Sequence, residues 1–258
     1  MIEAQISLEN YRENCDKINW DIYNKYESPK NWLLNKKILD IGCFVGGKAE
    51  CLSDNGAKEV IGIDLSLRGI SVAKKYEKEN LIFFNKSSSD LINDYYEYFD
   101  TIVSYTVFEH IETHLLNSVI DDAYSLLKIG GKFFIVFNHY GDRYGSHMAN
   151  HIYFSHPTLI FNEIYLNEFC NKRLRYLQGR NEMGYYPKNF VFSDLHNSDS
   201  YMALNKICVL DFIEILKRSR FKKYRFIPYS KTTLMKIFSI VFPDKEIFRG
   251  SYIYVLEK

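Results

Sequence analysis

No charge of either sign dominates this chain. Its 33 basic and 32 acidic residues leave a formal net charge of +1 over 258 residues, so no single-sign field recruits a polyanion and nucleic acid is not expected as primary substrate. Cysteine is sparse: Cys15, Cys43, Cys51, Cys170 and Cys208 are scattered and odd in number, with no Cys-x-x-Cys pair. That pattern argues against a disulfide framework or a zinc site and fits a reducing cytoplasm. Long apolar runs are missing too. Leu234 to Phe242 is interrupted by Lys236 and is far too short to span a bilayer, so no membrane anchoring is expected. Met1-Ile2-Glu3-Ala4-Gln5 has an early acid and neither a basic segment nor an apolar core, unlike a secretory leader. What remains is a chain 47% hydrophobic, long enough for one large α/β domain or a domain with a sizeable insertion.

Within it, Ile38-Leu39-Asp40-Ile41-Gly42-Cys43-Phe44-Val45-Gly46-Gly47 reads as a short apolar strand running into a glycine-marked turn. Glycines at a strand-to-helix junction permit tight backbone geometry and let a ligand approach exposed amides. The same turn could equally be a ligand-free helix entry. A second strand, Val60 to Ile63, ends at Asp64, roughly 20 residues past the turn, the spacing of an acid that reaches ribose hydroxyls. The dinucleotide fingerprint Gly-x-Gly-x-x-Gly is absent, because Phe44 stands at its middle glycine, and this disfavours a nicotinamide-dependent oxidoreductase.

From residue 38 to 137 strand and helix patterns alternate: strands at 38–41, 60–63, 81–84, 99–104 and 132–137, helices at 46–55, 66–79 and 115–127. Alternation predicts a parallel sheet with helices on both faces. Ser66 is a candidate helix cap, and Gly130-Gly131 is expected to end the helix before the fifth strand. Residues 8–26, with Tyr11, Trp20 and Tyr23 at loosely helical spacing, read as an N-terminal helical lid, or as aromatic packing on the sheet edge. Residues 138–205 lose the alternation and read as an inserted cap. A helix at 206–219 and strands at 223–229 and 251–256 then complete seven strands. Residues 1–137 and 206–258 thus form one Rossmann-like domain and 138–205 a substrate cap.

These motifs resemble the class I S-adenosylmethionine-dependent methyltransferases, in particular the small-molecule type 11, UbiE/UbiG-like branch. Asp40 to Gly47 matches the first motif, with Phe44 in place of its central glycine, and Gly62-Ile63-Asp64-Leu65-Ser66 matches the second. Phe99 to Ile111, with its Glu109-His110 pair, matches the fourth-strand motif, and Leu126 to Phe133 the helix, double glycine and fifth strand. The resemblance implies S-adenosylmethionine as cofactor, leaving S-adenosylhomocysteine, with no metal. It implies that Asp40, Gly42, Cys43, Phe44 and Gly46 hold the methionine end, Asp64 the ribose and Leu65 the adenine face. Ser88, Ser89 or Asp90 would meet the adenine edge, and Tyr105 would lie between cofactor and acceptor. Ser104-Tyr105-Thr106-Val107 lacks the Asn/Asp-Pro-Pro-aromatic motif of many amino methyltransferases, which points away from nucleobase and protein-amide substrates.

Methyl transfer from a sulfonium needs an in-line nucleophile, and a hydroxyl acceptor gains from a base near its proton. His110 and His147 are the first candidates, beside His139, His151 and His156, each equally readable as a structural histidine. Cys43 reads as packing, and Arg173, Arg175 and Arg180 as a solvated face. The expected function is O- or N-methylation of a small molecule. A non-catalytic protein that binds S-adenosylmethionine or S-adenosylhomocysteine is the alternative, and a nicotinamide enzyme the more remote one. The sequence leaves the acceptor and the oligomeric state open.

Overall fold

The computed structural model describes residues 8–141, 165, 168, 172, 205–228 and 252–258. The expected cap over 138–205 lies almost wholly outside the described residues. Seven strands form one sheet: β1 (Lys37–Ile41), β2 (Glu59–Ile63), β3 (Leu81–Phe84), β4 (Phe99–Tyr105), β5 (Leu127–Phe137), β6 (Lys223–Pro228) and β7 (Tyr252–Glu257). Their order is β3-β2-β1-β4-β5-β7-β6. Strands β1 to β5 pair in parallel, and β7 runs antiparallel between β5 and β6. The chain builds outward from β1 to β3, then restarts at β4 on the other side of β1. Such a reversal opens a crevice beyond the carboxyl ends of β1 and β4, where open α/β sheets bind ligands.

Helices cover both faces, which is why β1 and β2 are buried at successive positions rather than alternate ones. On one face Leu39, Ile61 and Ile102 pack with α3 (Leu116–Leu126) and α4 (Val209–Arg218) through Ile120, Ala123, Phe212 and Leu216. On the other, Ile38, Val60 and Val103 meet α1 (Gly47–Asp54) and α2 (Leu67–Ala73) through Ala49, Leu52, Ile70 and Ala73. Neighbouring strand residues point to opposite faces, so Ile38 and Leu39 serve different cores. The second core takes in Tyr23 and Trp32, whose rings meet each other and Phe134 of β5 at centroid distances of 5.2 to 5.9 Å. Tyr23 is therefore sheet packing.

Two expected boundaries move. The helix after β2 stops at Ala73 and tightens into a 3-10 turn, Lys74–Tyr76, although Ser66 does cap it, accepting from Gly69 N at 3.0 Å. The helix before β5 ends at Leu126, not at Gly130-Gly131. Leu127 is already extended (φ −75°, ψ 141°) and pairs with Phe99, and both glycines lie inside β5. The N-terminal segment is less regular than the expected lid helix. Residues 8–11 are helical, Arg12–Asp16 form a π-turn and Ile22–Lys25 a 3-10 turn.

Candidate active site

The turn after β1 crosses the head of the crevice. Gly42 (φ 78°), Phe44 (φ 46°) and Gly46 (φ 77°) all adopt left-handed backbone, for which a side chain costs about 1–2 kcal/mol. Phe44 takes that conformation without being glycine, and the surroundings compensate. Its N–H donates to Asp64 Oδ2 at 2.9 Å, its ring meets Tyr11 edge-on at 5.8 Å, and it lies where a Cβ on Gly69 of α2 would be, only 2.7 Å from the ring. The side chain thus finds room against α2. Cys43 is buried among apolar neighbours, and burial raises its thiol well above the usual range, which fits packing rather than nucleophilic chemistry.

Asp64, at the end of β2, accepts from Phe44 N and, through Oδ1, from Ser66 N at 2.7 Å, so one carboxylate ties the first turn to the second. Burial raises its pKa, and the nearby His110 on the loop after β4 works in the opposite sense. Leu65 next to Asp64 is 76% exposed, an apolar side chain left bare at the crevice where a planar base would cover it. At the end of β3, Ser88 is buried and donates to Asp122 of α3 at 2.8 Å. Ser89 and Asp90 stay outside in a turn closed by Ser87, whose N–H and hydroxyl reach Asp90 Oδ2 at 2.8 and 2.7 Å. Tyr105, at the end of β4, sits under Lys48, whose Nζ is 4.4 Å from the ring centroid. His147 lies outside the described residues.

Asp40 is the most unusual group here. It is 3% exposed, and its Oδ2 has no hydrogen-bond partner, although burial of an unpaired carboxylate is costly. Desolvation first, and then the charge of Asp16, push its pKa up to about 7; Asp64 adds to the rise and Lys48 opposes it. Because this value lies above that of the unfolded chain, the group stabilises the donor-free fold at acid pH. That contribution is lost as pH rises from the ordinary carboxylate range through about 7. Thermal melts of the donor-free protein between pH 5 and 8 are therefore expected to decline more steeply for the native chain than for Asp40→Asn. Parallel curves would show that Asp40 does not titrate there.

Sequence reasoning missed three contributors. Arg12 and Asp16 come from the N-terminal segment and reach the turn from 33 and 31 residues away. Asn205 brackets the loop after β4, its amide donating to Phe108 O and Ile111 O at 2.6 and 2.7 Å and its N–H to Glu109 O at 2.7 Å. Spacing in sequence carries no signal for such distant contacts.

An acid followed by a tight turn after β1, an acid closing β2, and a seven-stranded sheet with one antiparallel strand are the fold seen in class I S-adenosylmethionine-dependent methyltransferases. Residues 38–131 match the family described as "Methyltransferase domain". Among curated relatives, ubiquinone biosynthesis O-methyltransferase of Pelagibacter ubique is 35% identical over 113 residues, 43% of this chain and 45% of that protein. The mitochondrial protein of the same name from Dictyostelium discoideum is 33% identical over 136 residues, 47% of this chain and 41% of that one. The chain thus spans less than half the length of these relatives. A SAM-dependent methyltransferase from Archaeoglobus fulgidus shares the fold at TM-score 0.56 and 13% identity over 97% of both chains. Another from Mesorhizobium loti does so at 0.55 and 12%, over 96% of this chain and all of that one.

The residues present fit that cofactor. An orphaned buried carboxylate suits a ligand carrying positive charge, Asp64 retains lone pairs for hydroxyls, and Leu65 offers a bare apolar face.

Proposed function

We propose that the protein transfers a methyl group from S-adenosylmethionine to an oxygen of a small-molecule acceptor. The observation that carries this reading is the convergence of Asp40, Asp64 and the left-handed turn at the switch point of the sheet. The relatives' printed activity, O-methylation, supports oxygen over nitrogen. When bound, the donor supplies an electrophilic methyl on its sulfonium, and such a transfer calls for no metal. Asp40 and the turn from Gly42 to Gly46 hold the methionine end, Asp64 the ribose and Leu65 the adenine face. Of the three candidates for the adenine edge, Ser89 and Asp90 are exposed, whereas Ser88 is buried with its hydroxyl engaged by Asp122. Tyr105 walls the crevice. Removal of the acceptor's proton falls to His110 or His147. Among the described residues no helix is long and apolar enough to cross a membrane, and we assign the chain to the cytoplasm.

Phe44, in place of the turn's central glycine, favours a non-catalytic reading only if it blocks the turn, and its ring rests on α2 while its amide keeps to Asp64. The test is a transfer assay with methyl-labelled donor across phenols, catechols and amines. Label is expected in hydroxyl acceptors, together with S-adenosylhomocysteine. Donor binding with no turnover across the panel would favour a sensor instead.

A further inference from the structure

The loop after β4 is held harder than a surface turn needs. It leaves the strand through Thr106, a β-branched residue in left-handed backbone (φ 55°), a conformation that persists only where the surroundings over-determine it. Three residues do so. Val107 fills the place a Cβ on Gly42 would take, so the loop bears directly on the turn after β1. Phe108 is fully buried, its ring meeting those of Phe133, Phe137 and Phe212 at centroid distances of 5.7 to 6.0 Å. The third is Asn205.

Asn205 takes up three carbonyls of the loop. Its side-chain amide donates to Phe108 O at 2.6 Å and Ile111 O at 2.7 Å, and its N–H to Glu109 O at 2.7 Å. Its Oδ1 accepts from Ile207 N at 3.2 Å, so both ends of the amide are committed. The lead into α4 places it: Ile207 and Val209 are buried, and Asp211 caps the helix by accepting from Cys208 N at 3.0 Å. Tyr140 N donates to Ile207 O at 3.1 Å, so the chain past β5 and the chain entering α4 lie side by side. His110 closes the 3-10 turn Phe108–His110, within the span that Asn205 brackets, and is half-buried. Water could satisfy such carbonyls on a surface loop. Binding three of them to one residue fixes the backbone from which the imidazole projects.

We infer that Asn205 is a positioning residue for methyl transfer, holding His110 where its imidazole meets the acceptor hydroxyl. The inference rests on the methyl-transfer reading above and selects His110 over His147 as the base. His110 takes the acceptor's proton on a ring nitrogen while the acceptor oxygen bonds the methyl carbon; the C–S electron pair stays on sulfur, and the proton later leaves to solvent. A base displaced by about an ångström loses much of its effect, whereas an acceptor already ionised needs no base. Asn205 therefore matters for acceptors that still carry their proton.

The test measures transfer to phenol and catechol and to 4-nitrophenol and 4-nitrocatechol, which are ionised at mildly alkaline pH, by the native chain, His110→Ala, Asn205→Ala and the double variant. On the protonated acceptors His110→Ala is expected to lower kcat about 10²- to 10⁴-fold and Asn205→Ala about 10- to 10²-fold. Both losses are expected to shrink below about threefold on the nitro analogues, and Asn205→Ala to add nothing once His110 is alanine. Affinity for S-adenosylhomocysteine, read by calorimetry, is expected to hold within about threefold. Asn205→Ser, which keeps one donor, is expected to fall between native and alanine, and it carries the test if Asn205→Ala does not fold. A loss in Asn205→Ala that is equal on both kinds of acceptor, or that persists without His110, would show a merely structural role and overturn the inference. Full activity of His110→Ala would overturn it too, while leaving methyl transfer standing with another base. Native protein that methylates none of the four acceptors would overturn the transfer reading, and the inference with it.

Discussion

Asp64→Ala is expected to weaken S-adenosylhomocysteine binding by roughly 10²- to 10⁴-fold, the loss of two hydrogen bonds to a charged acceptor at about 1.5–3 kcal/mol each. The carboxylate does two jobs. It would accept both ribose hydroxyls, and it already ties Phe44 N to Ser66 N. Alanine removes the ligand contact and also frees the Phe44 amide, whose left-handed backbone has that bond among its restraints. Asp64→Asn keeps one acceptor oxygen and is expected to fall between the two. Calorimetry on all three proteins, with melting curves to confirm folding, separates the contributions. Unchanged affinity in Asp64→Ala would remove the site from this end of the sheet.

Gly46→Ala carries the largest expected loss of stability, about 3 kcal/mol, which lowers the melting temperature by roughly 6–12 °C for a chain of this size. Two causes add. The backbone is left-handed (φ 77°), and the new Cβ would lie 2.5 Å from the buried Phe83 ring and 3.0 Å from Ala73 Cβ. Gly130→Ala supplies the control. It shares the left-handed backbone (φ 79°) but meets nothing within 4 Å, so only the conformational cost of about 1–2 kcal/mol remains. Equal losses at the two positions would show that Phe83 gives way freely.

The sheet was legible because every parallel strand carries its own apolar run and a turn, and residues 38–104 need no distant information to reveal them. The antiparallel end was legible for the same reason, since Lys223–Pro228 and Tyr252–Glu257 are aromatic and β-branched runs. The end of α3 was not. Leu126-Leu127-Lys128-Ile129 suits helix or strand, and the pairing of Leu127 with Phe99 decides for strand, a contact across 28 residues. Nor was the early end of α2, where Glu77 leaves the helix to accept from Phe83 N at 2.9 Å. At the site, Asp40, Asp64 and the glycine turn could be read because they lie at strand ends with recognisable spacing. Arg12 and Asp16 could not, because residues 8–26 showed aromatic periodicity and their charges gain meaning only once the segment folds onto Gly47. The hydrogen bond from Ser88 to Asp122, across 34 residues, likewise has no signal in the local sequence.

A crystal structure with S-adenosylhomocysteine bound tests the donor site most directly. The ribose is expected on Asp64, the adenine over Leu65, and the amino-acid end at Asp40 and the Gly42–Gly46 turn. Nucleoside density away from the carboxyl ends of β1 and β2, or a crevice that stays empty at saturating ligand, would contradict it.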